Sequence, residues 1–184
     1  ARLPKSIYEA DEHMWEVVRS IVNKSKNKLG FAKGSGQTYN ALLTTSSITQ
    51  AQRYFRMFCA VRDGKSPIEI EEQVKRVLPD FPKVAITYSI SENEEASVSN
   101  QNERKKAIAY YNQMFGTSYT IETMRGYNRN IKDRLARKRE NYLVRSEQLD
   151  LVIVVDRLLT GFDAPCLSTL FIDRPPMKPH DLIQ

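Results

Sequence analysis

The run from Leu151 to Val155, "LVIVV" inside "LDLVIVVD", constrains this chain more than any other stretch. Five aliphatic residues, four of them β-branched, leave no polar face to turn toward water. A strand made of them must therefore be covered on both sides, which is the habit of parallel sheets. The run is also far too short to cross a bilayer. "TYNALLTTS", "KVAITYS" and "LSTLFIDRPP" read as further strands of similar length.

Helical periodicity fills the intervals. Ile7, Met14, Trp15, Val18, Ile21 and Val22 recur mostly at three- and four-residue steps and predict a leading amphipathic helix within residues 1–30. Ile48, Ala51, Tyr54, Phe55, Phe58 and Val61 predict a second, introduced by Ser47 with Gln50 three residues on, a capping-box pattern, and closed by Asp63-Gly64. "IEIEEQVKRVL" predicts a third that "PDFP" ends. "RKKAIAYYNQMFG" predicts a fourth, and Tyr127, Ile131 and Leu135 mark a fifth. "NKSKNKLGFAKGSGQ" and "ISENEEASVSNQNE" lack apolar periodicity and read as loops. Strands alternating with helices predict an α/β fold, a parallel sheet flanked by helices on both faces.

Composition narrows the function classes. The chain has 184 residues, 41% hydrophobic and 27% charged, a balance that suits one folded domain rather than a disordered or membrane-embedded chain. Two distant cysteines, Cys59 and Cys166, give no disulfide framework and fit a reducing, cytoplasmic setting. Two histidines, His13 and His180, leave little for a zinc site. The opening "ARLPKSIYEADEH" has no initiator Met and no signal core, and reads as an internal start, so that the chain is expected to be a fragment. A net charge of +6 suits a polyanionic partner. Between Arg125 and Arg145 stand eight basic residues, Arg125, Arg129, Lys132, Arg134, Arg137, Lys138, Arg139 and Arg145, against two acids, Asp133 and Glu140. This patch is either a solvated helix face or a phosphate-binding one.

In a parallel sheet, ligands meet the carboxyl ends of the strands. The first candidates are thus Thr44, Thr45, Ser46 and Ser47; Ser89; Asp156 to Asp163; and Asp173 with Arg174. The stretch "VIVVDRLLTGFDAP" is the richest of these. Gly161 permits close backbone approach, Thr160 offers a hydroxyl to a phosphate, and Asp163 can accept hydrogen bonds from a sugar hydroxyl or an arginine. The same residues also compose an ordinary strand-to-loop connection with a helix-capping Asp.

"LDLVIVVDRLLTGFDAPCLSTLFIDRPPMKPHDLIQ" resembles motif V and the approach to motif VI of superfamily 2 helicases, in the version found in the restriction (HsdR) subunit of type I restriction-modification enzymes. "YNALLTTSSITQAQRYFRMF" resembles the same family's motif IV region, and "AIAYYNQMFGTSYTIETMRGYNRNIKDRLARK" its insertion between these motifs. The resemblance runs from about Tyr39 onward. It implies that residues 1–184 are a second RecA-like motor domain, with a leading helix over 1–30 and a helical insertion over 90–145, cut before the end of motif VI.

By that resemblance Gly161, Asp163 and Gln184 would face ATP across a cleft, Asp163 toward the ribose. Ser46, Ser47 and Thr160 would face the DNA backbone. Apart from the resemblance, the lopsided charge of the basic patch makes Arg134, Arg137 and Arg139 candidate DNA contacts. The implied cofactors are ATP and Mg²⁺ in the intact subunit. The implied partners are double-stranded DNA, the preceding RecA-like domain, and the methylation and specificity subunits. Two other readings share the pattern: the second domain of another superfamily 2 helicase, and a non-motor α/β nucleotide-binding domain.

No G-x-x-x-x-G-K-[ST] loop is present, so the chain alone is expected neither to cradle the β and γ phosphates nor to hydrolyse ATP. "ADEH", Ala10 to His13, imitates a metal-binding box, but it lies in a helical pattern rather than at a strand end. Pro79-Asp80 with Glu103 and Lys105 imitates a nuclease signature, but Glu103 and Lys105 open a helix. Trp15 is expected in the core, and Cys166 is expected buried rather than nucleophilic.

Overall fold

The computed structural model describes residues 5–8, 10–88, 98–155 and 164–175. Two helical segments come first, α1 (Lys5–Tyr8) and α2 (Asp11–Lys24). Then follow β1 (Asn40–Thr45), α3 (Ile48–Arg62), α4 (Glu72–Val77), β2 (Val84–Thr87), α5 (Val98–Phe115), α6 (Met124–Leu135), β3 (Leu151–Val155) and β4 (Leu167–Asp173). The four strands form one all-parallel sheet in the order β2-β3-β1-β4.

Period-two alternation sends neighbouring strand residues into two separate cores. Ala41, Leu43, Leu151, Ile153, Val84 and Ile86 pack against α2 and α3, which contribute Met14, Val18, Ile21, Tyr54 and Phe58. Leu42, Ala85, Val152 and Val154 pack on the other face against Ile108 and Tyr111 of α5 and Tyr127, Ile131 and Leu135 of α6. The sheet is thus the middle of three layers. Burying each Val, Leu, Ile, Phe or Met side chain among these contributes about 1.5–3 kcal/mol relative to exposure. That gain is why an unbroken aliphatic run such as "LVIVV" becomes the central β3 and not a surface element.

The last strand behaves differently. Among the described residues β4 pairs only with β1, so it is an edge, and from Leu167 to Ile172 its residues alternate between half-buried and exposed, with Asp173 buried at its end. Phe171 aligns with Leu43 and joins the α2/α3 core. Leu170 and Ile172 align with Leu42 and Thr44, emerge on the α5/α6 face, and remain 38% and 50% exposed. Among the described residues no element reaches across to cover them.

Two elements depart from the periodicity. The third helix is only Glu72–Val77, because Asn23 of α2 holds the residues before it extended: Asn23 Nδ2 donates to Glu69 O at 2.9 Å, and Glu71 N–H donates to Asn23 Oδ1 at 2.9 Å. Conversely α5 starts at Val98, inside the stretch read as loop. There Arg56 of α3 pairs with Glu103 at 2.9 Å, and Gln52 donates to Asn100 at 3.3 Å, so contacts with α3 supply an anchor that the stretch's own composition lacks. Trp15 packs against the core half-buried rather than inside it. Among the described residues no helix is long and apolar enough to cross a membrane.

Candidate functional site

The carboxyl ends of the strands define one edge of the sheet. β1 ends there in Thr44-Thr45 and turns through Ser46-Ser47 into α3. Thr45 Oγ1 donates to Val154 O at 3.3 Å, tying the end of β1 to β3. Ser47 is the N-cap of α3: its Oγ accepts from Gln50 N–H at 3.1 Å, as the capping pattern requires. The reciprocal contact lands one residue earlier than in a standard box. Gln50 Oε1 accepts from both Ser46 N–H and Ser46 Oγ, each at 3.1 Å.

The other end of the Gln50 amide reaches the tip of β4. Its Nε2 donates to Asp173 Oδ2 at 3.0 Å, with Tyr8 O at 3.2 Å and Asp173 O at 3.3 Å sharing the approach. Asp173 is 4% exposed and is satisfied on every side. Tyr54 donates its hydroxyl to Oδ2, and His13 Nε2 lies 2.6 Å from Oδ1. A carboxylate only accepts, so Nε2 is the protonated nitrogen of His13. Burial, and after it the bond to Asp173, pushes the Tyr54 hydroxyl well above the ordinary tyrosine range, which keeps it a donor.

This arrangement has a chemical consequence. The Ser46 hydroxyl proton is committed to Gln50, whereas Ser47 uses only a lone pair among the described residues, so its own proton can go to an incoming acceptor. Both serines are half-exposed, at the N-terminus of the fifteen-residue α3, where backbone N–H groups and the helix dipole favour an anion. Sequence reading singled out Ser46, Ser47 and Asp173 as strand-end residues. It missed His13, Gln50 and Tyr54 as partners of Asp173; no spacing signal connects positions 160, 123 and 119 residues apart. The expected nucleotide residues Gly161, Asp163 and Gln184, with Thr160, Ser89 and His180, lie outside the described residues.

The basic patch separates into two populations. Arg134, expected to face DNA, is 2% exposed, its side chain turned inward. It sits one helical turn inward: Nε donates to Asn130 Oδ1 at 2.9 Å and Tyr111 Oη at 3.1 Å, and Nη1 reaches Glu147 Oε2 at 3.1 Å. The guanidinium also stacks 3.7 Å from the Phe115 ring centroid. Arg139 shares the same acid, with Nε 2.6 Å from Glu147 Oε2. That hydrogen bond, against the opposing effect of partial burial and with help from Arg134, holds the Glu147 carboxyl below the usual glutamate range.

Arg137 is half-buried, with Nη2 donating to Thr38 O at 2.8 Å and Nη1 to Tyr142 O at 3.1 Å. Its φ of +56° is the left-handed conformation that ends α6. Lys138 N–H bonds Asp133 O, and Arg137 N–H bonds Arg134 O, which is the Schellman pattern that ordinarily uses glycine. The strain of about 1 kcal/mol is accepted because it aims the guanidinium at two carbonyls. Arg145 clamps Asp150 through two 2.6 Å bonds and Asp80 at 2.9 Å, beneath the amino ends of β2 and β3. Arg125, Arg129, Lys132 and Lys138 remain outward.

Other expectations find their places as well. Asp80 pairs with Arg145 and Glu103 with Arg56, so the two carboxylates of the nuclease-like spacing serve different ion pairs. Among the described residues no group of His, Cys, Asp and Glu could hold a metal ion. Arg137 has Cys166 as a neighbour, a basic partner that sequence separation concealed.

Comparison with known proteins places this arrangement. A family model described as type I restriction enzyme subunit R domain 3 matches residues 37–184. The type I restriction enzyme SauMRSORF196P endonuclease subunit of Staphylococcus aureus is 25% identical over 98% of this chain, which covers 17% of that protein. The SsaAORF53P endonuclease subunit of Staphylococcus saprophyticus is 30% identical over 79% of the chain and 14% of its own length. The HindI endonuclease subunit of Haemophilus influenzae reaches 54% identity over a 39-residue stretch, 21% of the chain and 4% of that protein. The chain therefore spans about a sixth of the length of the first of these relatives. With a single model covering it from Gln37 to Gln184, the chain belongs to the domain 3 family of type I restriction enzyme R subunits.

Proposed function

We propose that this domain is the second RecA-like half of an ATP-driven DNA translocase within the R subunit, closing on ATP against a preceding domain that supplies the phosphate loop and the Mg²⁺ ligands. The observation that carries the reading is the Ser46-Ser47 turn. Two hydroxyls and a helix N-terminus sit at the carboxyl edge of an all-parallel sheet, the edge at which such folds meet their ligands, braced from behind by Gln50 and Asp173.

In this reading Ser47, with its free hydroxyl proton, donates to a phosphate of the tracked strand. Ser46 sets the turn, and Thr160 adds a second donor from the segment after β3. Gly161, Asp163 and Gln184 face the nucleotide. Contacts of this type are indifferent to base sequence, as movement along a duplex requires. Nucleotide and its release would act by preferring different closures of the cleft. In the assembled enzyme the methylation and specificity subunits are the further partners, and the cytoplasm is the site of action. The family match over 37–184 favours this reading over another superfamily 2 helicase or a non-motor nucleotide-binding domain.

The test is Asp163→Ala in the full-length subunit, assayed for ATP-driven displacement of a triplex-forming strand from duplex DNA. Translocation should slow at least tenfold with the fold retained; an unaltered rate removes Asp163 from the nucleotide site.

A further inference from the structure

The outward half of the basic patch has a use that the inward half does not. On α6, Tyr127, Ile131 and Leu135 face the sheet, and Arg125, Arg129 and Lys132 stand on the opposite side, all exposed. Their spacing of four and three residues lines them up in a single ridge about 10 Å long. None of the three makes an ion pair among the described residues, in contrast to Arg134, Arg139 and Arg145, each of which is matched to an acid. The nearby acids do not compensate them. The carboxyl of Glu122 is held down by a hydrogen bond from Thr120, with Lys105 as its charge neighbour, and Asp133, half-buried, forms no ion pair among the described residues.

Three like charges at adjacent helical positions cost a few tenths of a kcal/mol per pair, and surface helices ordinarily intersperse acids to avoid this. The ridge also carries no exposed large apolar side chain, since those of the described residues lie elsewhere, at Ile7 and Val98, in Tyr142 to Val144 and on β4. A protein partner would want an apolar or aromatic centre at its contact. A phosphate backbone wants only the cations. The ridge begins near the site edge: Thr87, the last residue of β2, donates to Asn128 at 2.7 Å, which sets the first turns of α6 beside the carboxyl ends of the strands.

We infer that Arg125, Arg129 and Lys132 form a sequence-neutral contact surface for the phosphates of duplex DNA, outside the Ser46-Ser47 turn. The inference rests on the DNA-translocase reading and gives it a second point of grip, so that the duplex is held at the strand ends and along the helical insertion.

The test uses the full-length subunit and a random-sequence linear duplex, with binding measured by fluorescence anisotropy across salt. Arg125→Gln, Arg129→Gln and Lys132→Gln are combined in one variant; Lys24→Gln, Lys65→Gln and Arg76→Gln, which remove the same charge from exposed positions elsewhere, are combined in the control. Loss of three phosphate contacts should reduce the slope of log affinity against log salt by about 2.7, so that between about 50 and 200 mM salt the wild type loses about 40-fold more affinity than the ridge variant. The control should keep the wild-type slope. A ridge variant with the wild-type slope, or a control that loses as much, overturns the inference, as does an unchanged slope accompanied by loss of an acidic protein partner. Failure of the wild type to bind or travel along duplex DNA defeats the motor reading itself, which is a separate result.

Discussion

Gln50 bridges Ser46 and Asp173: its carbonyl oxygen takes two hydrogen bonds from Ser46 at 3.1 Å, and its amide nitrogen donates to the Asp173 carboxylate at 3.0 Å. A turn at the end of β1 is thereby set by a carboxylate at the end of β4. The carboxylate in turn is fixed from two helices, by His13 of α2 and Tyr54 of α3.

Asp173→Ala removes the acceptor of the buried Tyr54 hydroxyl and of half-exposed His13, while Gln50 Nε2 keeps the carbonyls of Tyr8 and residue 173. At about 1–3 kcal/mol for a donor left buried without a partner, the expected loss is about 1–3 kcal/mol, chiefly from Tyr54. Urea unfolding checks this. A loss under about 1 kcal/mol would mean that water or a new acceptor satisfies the cluster. His13→Gln, which replaces one half-exposed donor by another, should cost under about 1 kcal/mol on the same measure.

The two arginines that share Glu147 should behave differently. Arg134 is buried, and breaking a buried pair by deleting one partner costs about 3–5 kcal/mol, so Arg134→Ala should fall in that range through the lost Asn130, Tyr111 and Glu147 bonds and the lost stacking on Phe115. Arg139 has a side chain 37% exposed, and Arg139→Ala should cost at most about 1 kcal/mol. Equal costs from equilibrium unfolding would contradict the inward placement of Arg134.

Lys83 gives the fold a pH signature. Burial first, and then the charge of Arg145, pushes its ammonium down to about 8 from its ordinary 10.5, against the attraction of Asp150 and Asp80. Its Nζ donates to Arg145 O and Ser146 O at 3.2 Å and lies 4.6 Å over the Phe115 ring. Between pH of about 8 and 10.5 the unfolded chain holds more protons at this site than the folded one, so this group's contribution to stability rises with pH across that window. Cys59, pushed up to about 11 from 9.0 by burial and then Asp63, acts in the opposite sense, because the folded thiol stays protonated where the unfolded one ionises. The Lys83 contribution is therefore read as a difference: relative to Lys83→Met, the wild type should gain stability as pH rises from about 8 to 10. A constant difference would show that the amine keeps its ordinary affinity for protons.

Much of the architecture was legible because apolar periodicity is a local record of which face is buried. "LVIVV", "NALLTT" and "KVAIT" became adjacent parallel strands, and Ser47 with Gly64 marked the two ends of α3 as the capping rules require. Departures came where distant partners outweighed local preference. Asn23 shortened α4, Arg56 and Gln52 extended α5 back to Val98, and β4 took the edge, where no covering layer among the described residues meets its Leu170 and Ile172.

The candidate site shows the same division. The sequence by itself determined the strand-end positions of Ser46, Ser47 and Asp173 and the excess of cations between Arg125 and Arg145, because both follow from order along the chain and composition. Only the tertiary structure decided that Asp173 would be gripped by His13, Gln50 and Tyr54, and that Arg134 would turn inward to Glu147 while Arg125, Arg129 and Lys132 stayed out. The physical reason is that a charge is written identically in sequence whether it meets water or a buried partner. Its role is fixed by the desolvation and hydrogen bonding that packing imposes, through contacts up to 160 residues apart.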